Sequence, residues 1–542
     1  MPSTPTTKSQ VHAYQFVLRR MQSALVRRDS VMLHDPMRTH GRATLVGFIL
    51  ALLGVVGFVI FGLISPKPAV PDAGNIVIGK ESGAIYVVAG SPKRLIPTFN
   101  LASARLILMS QQGQNGGATT AVEPSVVPDD QLKDIPRGRL TGIVDGPQLL
   151  PTTSQRISDD WAVCDQLTIR SDLPAQLALQ QATNATTVLA GVSNPGRELA
   201  DNEAVLAVGD NDKPYLIYHL ERNPNQPNAN TVRAELDPSK AGVYTALGLN
   251  PQNARRISIG LLNAIPQVTP FTPPAIPGAG NPTQFKALQD LALSVGQVFA
   301  VPSATGDIAT YVILQNGIQR VSPAVADLIR FSSSNDNSPR PVEVRPDLIS
   351  SIRQVQSGDT DALKVDTMPA TIPTVLDPTQ TPVTCLGWNV VNPGDPATED
   401  EHTAVYIGTQ LPVPAGAEPI RIGQPSPDGL KIDSFYMPPG RGAVIRSATS
   451  KQSFTTGPIS LVTDRGLRYG VPNTATANAL GLTDPRPAPD AIVRLLPTGA
   501  SLNAQDAQRS YDSVPIPANA GSFPSQQQQA GATGSSGSSS RN

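Results

Sequence analysis

The chain has 542 residues, 39% of them hydrophobic but only 4% aromatic, with 53 prolines, five histidines and two cysteines. That length implies about three to five domains with small cores, and prolines at roughly twice the usual frequency shorten regular elements in favour of loops and edge strands. A net charge of −1 excludes the strongly basic signature of a nucleic-acid binder, and so few histidines and cysteines leave no zinc ribbon and no disulfide-dense scaffold. Neither a nucleic-acid partner nor a metal or other cofactor is expected.

Residues 1–42 carry Lys8, Arg19, Arg20, Arg27, Arg28, Arg38 and Arg42 against Asp29 and Asp35, a net +5. Within them Val11, Tyr14, Leu18, Met21 and Leu25 recur at three- and four-residue spacing, with Arg19, Arg20, Arg27 and Arg28 mostly off that line. This pattern predicts a basic amphipathic helix of about five turns. Its apolar stripe finds no partner within so short a segment, so it docks on a cytoplasmic partner or, alternatively, lies on an anionic leaflet.

Ala43–Ser65 follows, 23 residues without a charge, which as a helix reaches about 35 Å and spans a bilayer. The basic excess before it keeps the N-terminus in the cytoplasm and exports the rest. A cleaved signal is a poorer reading, because the basic region and apolar core are both too long and no A-x-A-like site follows. Ala43, Gly47, Ala51 and Gly54 place small side chains on one face, where another helix can approach closely; the ordinary abundance of Gly and Ala in such helices is the alternative.

The exported part reads as an internal duplication. ESGAIYVV (81–88) leads through a turn to RLIPTFNLASARLIL (94–108), a strand and then a short helix. DIATYVILQNGIQRVSPAVADLI (307–329) has the same outline, with an Asn-Gly turn between strands and a helix capped by Ser322 with Pro323 at its first position. Two looser copies, around residues 232–252 and 461–485, share ALGL at 246–249 and 479–482. Ala104 and Ala326 lie 222 apart, Cys164 and Cys385 221, Gly248 and Gly481 233. Near-constant offsets predict four small repeat modules in an α+β arrangement around a mainly β central module formed from two middle segments, with a pseudo-twofold shape.

Each middle segment holds one cysteine and one tryptophan three residues away, Trp161 with Cys164 and Trp388 with Cys385. In an oxidising compartment these read as a buried disulfide flanked by the two aromatics, with two separate free thiols as the alternative.

Several strings resemble chemistry. Gly74–Lys80 fits G-x-x-x-x-G-K, but Glu81 stands where magnesium needs Ser or Thr, and Ile76, Val77 and Ile78 look like a strand. Glu399–His402 (EDEH) is read as an acidic loop rather than a metal patch, and the adjacent pairs Asp129-Asp130 and Asp159-Asp160 do not specify a cleft. No catalytic residue is assigned. Pro270–Pro282 reads as a stiff linker, and residues 516–542, rich in Gln, Gly and Ser, as a disordered tail.

Taken in order, TTKSQVHAYQFVLRRMQSALVRRD, MLHDPMRTHGRA, a single span, ESGAIYVV, NLASARLIL, WAVC, CLGW, LRYGVPNTATANALGL and IVRLLPTGASL resemble the EccB family. These are single-span core components of the type VII (ESX) secretion system of mycobacteria and related actinobacteria, and the likeness runs from about residue 6 to 515. It implies an inner-membrane scaffold that oligomerises through a periplasmic domain and assembles with EccC, EccD and EccE, with the mycosin protease on the outer side. It also implies the bridge Cys164–Cys385 and a cytoplasmic helix at Val11–Arg28. An ATPase activity is attributed to family members, whereas EccC carries the conventional ATPase, so enzymatic activity here stays open. The expected divisions are 1–42 (cytoplasmic helix), 43–65 (span), 66–150 (module 1), 151–202 (central, first half), 203–272 (module 2), 273–362 (linker and module 3), 363–450 (central, second half), 451–515 (module 4) and 516–542. A membrane-anchored envelope glycan-binding protein and an extracytoplasmic hydrolase are the alternatives from other classes.

Overall fold

The computed structural model describes residues 7–28, 36–64, 70–113, 120–170, 172–220, 230–303, 306–332, 340–395 and 397–511. The 516–542 tail lies outside them. The chain divides into two compact units, one ending at Val70 and one beginning at Pro71.

In the first unit, helix α1 spans Lys8–Arg27. Thr7 caps it reciprocally: its hydroxyl accepts from the Gln10 N–H at 3.4 Å while Gln10 Oε1 accepts from the Thr7 N–H at 2.9 Å, so two otherwise orphaned donors are satisfied. The helix stops at Arg28, which turns left-handed with φ 56° and donates its N–H to Ala24. Helix α2 covers Pro36–Ile64, beginning earlier than the apolar run because helical hydrogen bonding does not require apolar residues and proline fits a first turn. Its membrane-compatible part is Gly41–Gly62, about 33 Å at the helical rise.

The second unit is built from five sheets. In the first, Asn75–Gly79, Ile85–Ala89 and Arg94–Thr98 form an antiparallel meander, helix α3 (Leu101–Gly113) follows, and Ser125–Val127 returns parallel to the opening strand. The second repeats that order with Glu203–Gly209, Pro214–His219 and Thr231–Glu235, the helix Ala241–Ala246, and Arg255–Ile257 parallel to the opening strand. In the third it is Val298–Pro302, Ile308–Leu314 and Gly317–Val321, the helix Pro323–Ser332, then Val342–Glu343. In the fourth it is Gly442–Ala448, Ile459–Thr463 and Arg468–Val471, the helix Thr474–Leu480, then Arg486–Pro489. Short strands also join distant parts of the chain: Ser510–Tyr511 pairs with Leu140–Thr141 of the first sheet, and Thr374–Val375 with Glu203–Ala204 of the second.

Local chemistry explains the shared turns. Both ALGL strings end a helix, with Gly248 at φ 61° and Gly481 at φ 76°, a left-handed conformation that favours glycine at a C-terminus. Ser322 caps the helix at Pro323 by accepting from the Val325 N–H. The expected Asn-Gly turn is shifted by one residue: Gln315 and Asn316 form it, and Gly317, paired with Leu314, already belongs to the next strand.

The fifth, central sheet runs in the order Ile420–Arg421, Ser434–Tyr436, Thr183–Ala190, Trp161–Thr168, Val383–Val391, Asp400–Gly408, Arg197–Glu198. One apolar cluster fuses this sheet with the second and fourth sheets, through Trp161, Val163, Leu386 and Trp388 against Leu261, Leu262, Ile492 and Val493. Another joins the first and fourth, and a third carries Ala324 and Leu328 of the third sheet's helix into the core of the second.

The Pro270–Pro282 stretch, expected as a stiff linker, is docked at its start: Phe271 is 2% exposed, packs 5.5 Å from the Tyr218 ring and donates its N–H to the Glu235 carbonyl. A single aromatic in a proline-rich run gains enough from burial, about 2–3 kcal/mol, to dock it. One expectation is corrected: of Glu399–His402, read as an acidic loop, only Glu399 lies outside a strand. The strand begins at Asp400, where Val391 already pairs with it, and pairing along a nine-residue partner overrides the weak strand preference of acidic residues.

Candidate functional site

The first unit presents an unpartnered apolar stripe. Val11, Tyr14, Leu18, Met21 and Leu25 are all exposed along α1, with Tyr14 at 68% and Leu25 at 81%. Arg19, Arg20 and Arg28 are exposed beside them, while the side chain of Arg27 lies outside the described set. Val17, 50% exposed, widens the stripe by one position that strict three-four counting skipped. On α2, Ala43, Gly47, Ala51 and Gly54 are exposed, and no atom lies within 4 Å of where a Cβ would stand on Gly47 or Gly54.

At the heart of the second unit, Cys164 and Cys385 are directly opposite in register and bonded, S–S 2.06 Å and Cα–Cα 3.9 Å, both fully buried. They share one face of the sheet with Ala162, Leu189, Val383 and Tyr436, beneath Leu411, Val413 and Ala417. The tryptophans do not flank the bridge. Trp161 and Trp388 also pair in register, but they belong to the cluster on the other face, because residues three apart in a strand point to opposite sides. Trp388 packs edge-on to Phe454 at 6.2 Å, and its indole N–H donates to Glu401 at 3.1 Å.

Buried polar groups tie the sheets to this centre. Asp165, 3% exposed, accepts from the Ser258 N–H at 2.6 Å, the Ser258 hydroxyl at 2.9 Å, and Asn184 and Thr186 at 2.8 Å. Ser258 in turn caps the helix Ile259–Ala264. Burial pushes the Asp165 carboxyl above its ordinary pKa, and the four donors oppose that rise. Arg255, in the adjoining strand, donates to the Thr381 carbonyl and Thr384 hydroxyl, each at 2.7 Å; burial pulls its pKa down to about 10. Arg486 of the fourth sheet grips Asp159 at 2.6 Å, which raises the guanidinium's pKa. Arg105 of α3 reaches the Leu480 carbonyl at 2.6 Å, joining first sheet to fourth, with burial lowering its pKa and Glu123 opposing.

The strings that resembled chemistry are occupied structurally. Ile76 and Val77 of the Gly74–Lys80 string are fully buried in a strand paired on both sides, the Lys80 N–H donates to Val127, and Glu81 accepts from the Asp129 N–H. That leaves no open cradle of N–H groups for phosphate. Asp159 serves Arg486, and Asp129 accepts from Ser82. Among the described residues no group of three potential metal ligands comes together.

A family model described as "Type VII secretion system ESX-1, transport TM domain B", that of EccB, matches residues 3–516. The chain belongs to the EccB family. The ESX-3 secretion system ATPase EccB3 of Mycolicibacterium smegmatis is 30% identical, aligned over 94% of this chain and 91% of the relative. The ESX-5 secretion system ATPase EccB5 of Mycobacterium tuberculosis is 29% identical over 94% of each. Among solved structures, a chain of an intact ESX-5 inner membrane complex matches with TM-score 0.66 and 26% identity, over 97% of this chain and 99% of that one. An EccB3 dimer from the ESX-3 core complex matches with TM-score 0.63 and 26% identity, over 80% of this chain and all of the other. The EccB likeness thus covers both the apolar helix and the five-sheet unit.

Proposed function

We propose that this chain is a structural core component of a type VII (ESX) secretion complex in the inner membrane. The observation carrying this reading is the family match across residues 3–516, which takes in the one membrane-compatible helix found among the described residues and an α+β unit alike to chains of ESX inner-membrane assemblies. α2 anchors the protein, the basic α1 segment stays in the cytoplasm by the positive-inside rule, and the five-sheet unit is periplasmic. The α1 stripe docks cytoplasmic parts of the machine, the small face of α2 packs on a neighbouring span, and the five-sheet unit makes contacts between copies.

The five-sheet unit is a tandem duplication, with the first and second sheets related to the third and fourth. Three features support this: one strand order in all four outer sheets, helix pairing of the first sheet with the fourth matched by the second with the third, and a bond between the two middle segments where a pseudo-twofold axis would pass. EccC, EccD, EccE and the mycosin protease are the partners this reading names. ATP hydrolysis, carried in the names of relatives, finds no support in the buried Gly74–Lys80 strand. Affinity purification from gently solubilised native membranes tests the assignment: EccC, EccD and EccE should co-purify in fixed ratio, and their absence would refute it.

A further inference from the structure

Where the second sheet, the central sheet and the fourth sheet meet, a cavity of about 400 Å³ opens, within the range of small-molecule sites, roughly 300 to 1,000 Å³. Arg233, Asn263, Trp388, Glu401, Asp490 and Arg494 are among its walls. Its charges are unusual in that two cations and two anions line one space, yet among the described residues none of the four forms an ion pair. Arg233, 8% exposed, is held by the Ile265 carbonyl at 3.1 Å and lies over the Tyr215 ring. Arg494 has its Nε buried with no hydrogen-bond partner. Glu401 is fixed by the Trp388 indole, and Asp490 opens the short helix Asp490–Val493.

The charges of opposite sign lining this cavity are not paired with one another: Arg233 donates to the neutral Ile265 carbonyl and Asn263 amide oxygen, Glu401 accepts from the neutral Trp388 indole, and the Arg494 Nε–H has no acceptor. A ligand bearing both signs would complement all four at once, with carboxylate to the guanidinium fork and ammonium to the carboxylates. Trp388, Leu386 and Ile492, also on the lining, supply an apolar wall. We propose that this cavity binds a small zwitterion of the amino-acid class, a free amino acid or a short peptide with free ends. Because its walls come from three sheets, the bound ligand braces their junction and raises the stability of the unit.

Isothermal titration calorimetry of the full chain in detergent, with L-leucine and L-alanyl-L-leucine as probes, tests this. Either zwitterion should give saturable binding; the dipeptide alone points to a peptide source, leucine to a free amino acid. N-acetylated and C-amidated alanyl-leucine should each bind about tenfold more weakly, one lost charge contact being about 1.4 kcal/mol. Arg494→Gln should abolish the preference for a free carboxylate, and Glu401→Gln that for a free ammonium. No saturable heat with either zwitterion, equal binding of the blocked peptides, or binding of acetate or inorganic phosphate as tight as the zwitterions would overturn the proposal. The blocked peptides on the unmutated chain keep the test independent of whether a variant folds.

Discussion

Asp165 shows how a single residue can be legible as unusual without its role being legible. An acid inside the apolar strand Trp161–Thr168 marks a buried network, but its donors lie 19 to 93 positions away, so spacing alone cannot name them. Because burial raises its folded-state pKa above the unfolded value of about 3.9, the folded chain holds this proton more tightly. Its contribution is therefore fully present below about pH 3.9 and declines as pH rises toward the folded pKa. Asp165→Ala should lose about 1–3 kcal/mol by stranding the Ser258 N–H and should remove that decline, as followed by denaturant unfolding across pH. The cysteines were more readable, since two thiols each three residues from a tryptophan in an exported chain have few other uses. Replacing both, Cys164→Ser with Cys385→Ser, should cost about 2–4 kcal/mol of unfolding free energy, because the bridge closes a 221-residue separation in the unfolded chain. The tryptophans are three residues from the cysteines in sequence but not beside the bridge in space, because strand alternation sends them to the opposite face.

Among elements, helices with strong periodicity were the most readable. The α1 stripe is exposed where three-four spacing puts it, and the Thr7-x-x-Gln10 capping box that starts the helix is a sequence-level signal. The acidic start of the strand at Asp400 and the docked Phe271 were not readable, because in each case a long-range partner decides the local conformation: the strand Val383–Val391 for one, Tyr218 and Glu235 for the other. At this scale the function of α1 is testable. On the proposed reading, in which α1 docks a cytoplasmic partner and α2 anchors the chain, Leu18→Ala with Met21→Ala should release that partner while the protein stays in the membrane fraction. Retention of the complex in native pull-downs of that variant would show that the stripe serves something else.

For the whole molecule, composition predicts several small cores, and the structure holds small sheets whose apolar clusters are shared between them. Of the four sheets of one strand order, the second is clamped to the central sheet by Asp165 and Arg255 and the fourth by Arg486, while Arg105 of α3 links the first sheet to the fourth and the third sheet's helix packs into the core of the second. Sequence offsets could not give those clamps, because Asp165, Arg255 and Arg105 meet backbone or neutral polar groups with no compositional signature, and Asp159 lies 327 positions from Arg486. Apolar clusters shared between sheets bury the small cores together, so that no sheet's core stands alone. The central claim, that this chain works as an assembled component of a membrane secretion complex, is tested most directly by native-gel migration after mild detergent extraction of its own cell membranes. The account predicts a single high-mass species containing several copies of the chain; migration as a lone 57.0 kDa protomer with its detergent would contradict it.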